Sequence, residues 1–133
     1  MTEGIESNTD TNMPEGVEEQ REREAIVVYW TSRDEEVARE LVFPYVLNSK
    51  LRKWWEEVTL VIWGPSQKTL CENESLQEYI DSIREAGIKL EACKACSDNY
   101  GISDQLTAMG IEVKYMGLLT TQYIKAGKHI LTF

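Results

Sequence analysis

A chain of 133 residues, 42% hydrophobic and 28% charged, is long enough to bury a core of its own, and one domain is expected without disulfide or metal support. No apolar run approaches the roughly 20 residues that span a bilayer, which excludes a helical membrane protein. The formal charge of −9 is unevenly placed: residues 1–24 carry −6 of it and the remainder −3, so no basic stripe is offered to nucleic acid or to an anionic membrane surface.

Residues 1–24 combine clustered Glu with Asn, Thr, Ser and Gly, and read as a disordered acidic tail ahead of one α/β domain over 25–133. The tail shows no basic segment followed by an apolar one, so a cytoplasmic location is the default expectation. From Ala25 the run AIVVYW predicts a strand buried on both faces, closed by Thr31-Ser32-Arg33-Asp34. Residues 34–55 have apolar positions near helical spacing (Val37, Leu41, Val42, Tyr45, Val46), and Pro44 is expected to kink or split that helix. A second strand is predicted at 59–64, with Gly64 to Cys71 as the loop after it. A helix over 74–87 follows, then a third strand at 88–93. A helix between Asp98 and Met109 (its start marked by Ser97, Asp98 and Asn99), a strand at 111–116, a helix at 119–127 and a last strand at 129–133 complete the alternation. Strands alternating with helices imply a three-layer α/β/α sandwich with a five-stranded, mostly parallel, Rossmann-like sheet. Ligands bind such sheets at the carboxyl ends of the strands. That edge gathers Thr31, Ser32 and Arg33, the stretch Gly64 to Cys71, the stretch Cys93 to Asn99, and Met116-Gly117.

The sharpest motif is Cys93-Lys94-Ala95-Cys96, where the third strand gives way to a helix. A thiol near a helix N-terminus and beside a lysine has its thiolate favoured by free backbone N–H groups and by the cation, which makes it a nucleophile near neutral pH. Cys93 and Cys96 are the candidate catalytic residues, with Lys94 as a supporting cation; the competing reading is that one thiol simply packs under the loop. Cys71 stands beside Glu72 and Glu74, where negative charge disfavours a thiolate. Three cysteines in a chain without an export signal argue for reduced thiols rather than a disulfide framework.

Other readings of the same residues are weaker. A thioredoxin-type site needs a proline opposite its CxxC, and Pro14, Pro44 and Pro65 all precede the motif. Zinc would require Cys71 and His129 to join the pair although both stand isolated, so no metal is expected. Gly64-Pro65-Ser66-Gln67-Lys68-Thr69 lacks the second glycine of a phosphate-binding loop, which leaves Ser66, Gln67 and Lys68, with Ser32 and Arg33, as candidates to orient a small anion or steady a thiolate. Trp30 and Trp63 end strands near that edge, while Trp54 and Trp55 cannot both face the core. No hydrolase triad and no Gly-rich dinucleotide loop stands out.

The segment AGIKLEACKACSDNYGI, followed by GIEVKYMG and the terminal KHILTF, resembles the DsrE/DsrF-like proteins over about residues 25–133. In that resemblance Cys93 matches the family's active cysteine. It implies that Cys93 takes up sulfane sulfur as a persulfide and passes it to another thiol. It also implies sulfur donor and acceptor proteins or small persulfides as partners, no cofactor, assembly into a homo-oligomer (trimer or hexamer), and strand one lying between strands two and five. Cys96 departs from single-cysteine relay subunits, since a second thiol could resolve the persulfide as a disulfide and release sulfide. The alternatives are a module that binds a small ligand or partner at this edge, and a thiol redox sensor built on Cys93 and Cys96.

Overall fold

In the computed structural model, the structure describes residues 24–133, so the expected acidic tail lies outside the described residues except for Glu24. Five strands, β1 (Ala25–Trp30), β2 (Glu57–Ile62), β3 (Lys89–Cys93), β4 (Glu112–Lys114) and β5 (His129–Thr132), form one parallel sheet in the order β4-β3-β2-β1-β5. The expected α/β architecture is present, and β1 lies between β2 and β5.

Period-two alternation sorts the strand side chains between two cores of unequal size. Ile26, Val28 and Trp30 of β1, Leu60 and Ile62 of β2, and Leu90 and Ala92 of β3 face the larger one. There they meet Val42, Phe43 and Val46 of the helical segment α1 (35–51), Leu76, Ile80 and Ile83 of α3 (Glu74–Glu85), and Leu106 of α5 (Ser103–Ala108). Trp30 is fully buried, with Phe43 edge-on at 5.2 Å. The opposite face carries Val27, Tyr29, Val61 and Cys93, and α6 (Met116–Lys125) covers it through Met116, Leu119 and Tyr123. A single helix on that face leaves Leu118 and Ile124 exposed.

Three local features set against the sequence expectation have physical causes. Pro44 does interrupt α1: it lies in the first turn of the α-helical part Phe43–Leu51, and the interruption is a widened turn just before it. Ala38–Val42 is a π-helical turn, with the Phe43 N–H bonded to the Ala38 carbonyl five residues back, which makes room for the proline ring. The stretch after β2 is not a loop but a helix, α2 (Pro65–Cys71), in which Pro65 occupies the first position, where no N–H is needed. The helix expected between Asp98 and Met109 is two: α4 (Lys94–Tyr100) starts directly after Cys93, and α5 follows Gly101.

Gly101 ends α4 in the left-handed conformation, φ 73°, with no atom within 4 Å of where a Cβ would stand. The cost of a side chain there is therefore conformational rather than steric. Gly101→Ala is expected to lower unfolding free energy by about 1 kcal/mol and Gly101→Asn by less. Denaturant titration checks this, and an Asn variant as destabilised as Ala would contradict it.

Candidate functional site

Cys93 is both the last residue of β3 and the N-cap of α4. An N-cap side chain and one three residues on reach back toward each other in the first helical turn. Here that brings the Cys96 thiol to donate to the Cys93 sulfur across 3.1 Å. Cys93 is buried, only 4% exposed, while Cys96 is partly exposed, so solvent reaches the pair from the Cys96 side. Burial raises the Cys96 thiol above its ordinary range, and the neighbouring Cys93 adds to the effect; the Gly64 backbone and the Trp63 side chain act in the opposite sense. Both sulfurs share the smaller core with Trp63, Tyr29 and Met116.

The pair rests on a platform made by α2. Gln67, fully buried, donates from Nε2 to the Cys93 carbonyl at 2.9 Å. Ser66 donates to the Trp30 carbonyl, and Thr69 donates to the Arg33 carbonyl at 2.8 Å. Buried polar groups of this kind retain their place only when paired. Ser66 and Gln67 therefore tie the ends of β1 and β3 to α2.

The candidate cations are engaged elsewhere. Lys94 pairs with Asp98 at 3.0 Å and lies over the Tyr115 ring. Lys68 lies over the Tyr100 ring, and Arg33 pairs with Glu72 at 3.0 Å. The Ser32 hydroxyl accepts from the Asp34 N–H at 3.0 Å in the turn that opens α1. The structure thus brings Cys93, Cys96 and Gln67 together, while Ser66, Ser32, Arg33, Lys68 and Lys94 serve turns, strand ends and surface pairs.

Cys71 belongs to the larger core, on the other face of the sheet from the pair, and its thiol is raised by burial and by Glu72. His129 is exposed and stands 5.4 Å from Trp55. Among the described residues no group of three or more His, Cys, Asp or Glu is gathered as a metal would require. Of the adjacent tryptophans, Trp54 is exposed, and Trp55 is partly buried and donates to the Tyr45 hydroxyl.

Glu91 was missed in the sequence. It lies two residues before Cys93 on the same face of β3 and is fully buried. Its carboxylate accepts from the Tyr123 hydroxyl at 2.8 Å and meets Lys89 at 3.3 Å and Lys114 at 3.4 Å. Lys114 is the register partner of Cys93 on β4 and also pairs with Glu112 at 3.0 Å. Burial and the Glu91 carboxylate push the Tyr123 hydroxyl far up, so Tyr123 stays protonated and donating. The available signal was an acid inside a continuous apolar strand, since KLEAC needs a partner for its glutamate.

The profile of the DsrE/DsrF-like family matches residues 18–133. The chain belongs to the DsrE/DsrF-like family. Among solved structures it is similar to a conserved protein of unknown function, BT1422, from Bacteroides thetaiotaomicron, with 34% identity over 83% of this chain and 95% of the other, TM-score 0.81. The ychN protein of E. coli shares the fold at 14% identity over 84% of this chain and 99% of the other, TM-score 0.63. No curated protein matches the chain. Membership points to chemistry of the sulfur-relay type, and in this chain Cys93 and Cys96 lie in contact.

The raised Cys96 thiol has a measurable consequence. Its alkylation by iodoacetamide should follow a titration with a midpoint above that of a free cysteine, about 8.5, because the reactive thiolate appears only at higher pH. Cys93→Ala, which removes two of the causes, should bring that midpoint down. A midpoint at or below the free value in the parent protein would contradict the assignment.

Proposed function

We propose that the protein takes up sulfane sulfur as a persulfide on Cys93 and yields it either to an acceptor thiol or to Cys96. The observation that carries this reading is the 3.1 Å sulfur contact at the N-cap of α4, with Cys96 donating and Cys93 accepting. A protonated Cys96 donates its S–H to Cys93, so the two sulfurs meet as donor and acceptor. Family membership agrees with thiol chemistry of this kind.

The reaction balances without a further oxidant. The Cys93 thiolate attacks the outer sulfur of a donor persulfide, R–S–SH; the donor S–S bond breaks, R–S⁻ leaves, and Cys93 holds S–SH. An acceptor thiolate can remove that outer sulfur by the same displacement, restoring the Cys93 thiolate. Alternatively the Cys96 sulfur, already in contact, attacks the inner sulfur; a Cys93–Cys96 disulfide forms, hydrosulfide leaves, and the Cys96 proton goes to it or to solvent. In that branch the persulfide is reduced to sulfide and the dithiol is oxidised.

Redox sensing uses the same contact, since the two thiols could close a disulfide under an oxidant other than a persulfide. Sulfur loading separates the readings. Intact mass measurement after incubation with a persulfide donor should show Cys96→Ser heavier by one sulfur atom, mapped to Cys93, and Cys93→Ser unchanged. Absence of the adduct in Cys96→Ser, or its presence in Cys93→Ser, would overturn the assignment of Cys93 as the carrier.

A further inference from the structure

A cleft of about 250 Å³ lies on the thinly covered face of the sheet, between the carboxyl ends of β1 and β5 and helix α6. Tyr29, Ile130 and Thr132 of the strands line it together with Trp63, Thr31, and Thr120 and Ile124 of α6. No charged side chain lines it. Its hydroxyls are largely occupied: Tyr29 bonds Thr120, and Thr31 donates to the Phe133 carbonyl at 2.9 Å. What remains is apolar surface, which asks of a ligand only shape and hydrophobic contact.

Trp63 belongs to this cleft and to the thiol site at once. It packs in the same small core as Cys93 and Cys96 and stands 5.6 Å from Tyr29. The indole is thus the side chain that the cleft and the pair have in common. The size limits what can sit there: an apolar cavity of about 150 Å³ already accepts benzene, so this cleft takes one ring with a short chain or a branched alkyl group, not a peptide or a nucleotide.

We propose that this cleft binds the apolar group of a small organic persulfide, R–S–SH with R an arylalkyl or branched alkyl group, and presents its sulfane sulfur to the cysteine pair. The inference rests on the sulfur-uptake reading and names its donor class: an uncharged hydrophobic R group, in contrast to the zwitterionic body of cysteine persulfide. Uptake proceeds by the displacement already given, with R–S⁻ as the leaving group retained in the cleft until it exchanges.

The test begins with a ligand that cannot react. Thioanisole is titrated into the reduced protein and followed at the four tryptophan indole N–H resonances, with Trp63 assigned from Trp63→Phe. A saturable shift at Trp63 is expected, weakened in Thr132→Trp, which puts a large side chain on the cleft lining. Loading rates are then compared for benzyl persulfide and cysteine persulfide. Benzyl persulfide should load faster by roughly tenfold or more, and the ratio should fall toward one in Thr132→Trp. No Trp63 shift, or a Trp63 resonance that follows protein concentration rather than thioanisole, would overturn the inference; the latter would mean that a second copy fills the cleft. Loading by both donors at equal rates would overturn it while leaving sulfur uptake intact. Thioanisole binding with no adduct from either donor would instead remove the sulfur-uptake reading and the donor role with it.

Discussion

The hydrogen bond from Gln67 to the Cys93 carbonyl is the constraint on which the site depends. It fixes the point at which β3 stops and α4 begins, and that point decides where both sulfurs lie. Because Cys93 ends the strand and caps the helix, Cys96 falls on the first turn and its sulfur meets that of Cys93. Gln67 can hold this point only because α2 is itself pegged, by Ser66 to the end of β1 and by Thr69 to the turn after it. The buried Gln67 Nε2 also resists displacement, since freeing it would leave an unpaired acceptor at Cys93.

The second face of the sheet carries the rest of the chemistry because it is the less protected one. Helices α1, α3 and α5 close the larger core, whereas α6 alone spans the face that holds Cys93, Glu91, Tyr29 and Trp63. Polarity grades along that face. At its lower end Glu91 is compensated by Tyr123, Lys89 and Lys114, an arrangement that allows a carboxylate to be buried two residues from the reactive strand end. At its upper end the cleft against Trp63 is without charge. The cysteine pair sits where these two environments adjoin.

Much of the fold was legible because a β-branched run such as AIVVYW reads as a buried strand, and five strands alternating with helical segments admit few windings. The CxxC stood out for the same reason, as a chemical motif at a strand end. What the residues concealed was competition between neighbours. Pro44 signalled a break, which takes the form of a π-helical turn before it, and Pro65 counted against a binding loop when it was starting a helix. Ser66, Gln67, Lys68 and Lys94 lie at the expected edge, and the partners they hold there, Trp30, Cys93, Tyr100 and Asp98, are defined only in the folded chain. Glu91 was hidden because its partners come from β3, β4 and α6, up to 32 positions away.

The central claim is that the two sulfurs act as one unit, and the fate of a persulfide in the parent protein tests it most directly. Reduced protein is mixed with one equivalent of a persulfide donor and no acceptor thiol; released sulfide and the Cys93–Cys96 disulfide are then quantified together. The account predicts one sulfide for each disulfide formed, with the persulfide decaying faster than in Cys96→Ser. A persulfide that persists equally in both proteins, or sulfide released without a matching disulfide, would contradict it.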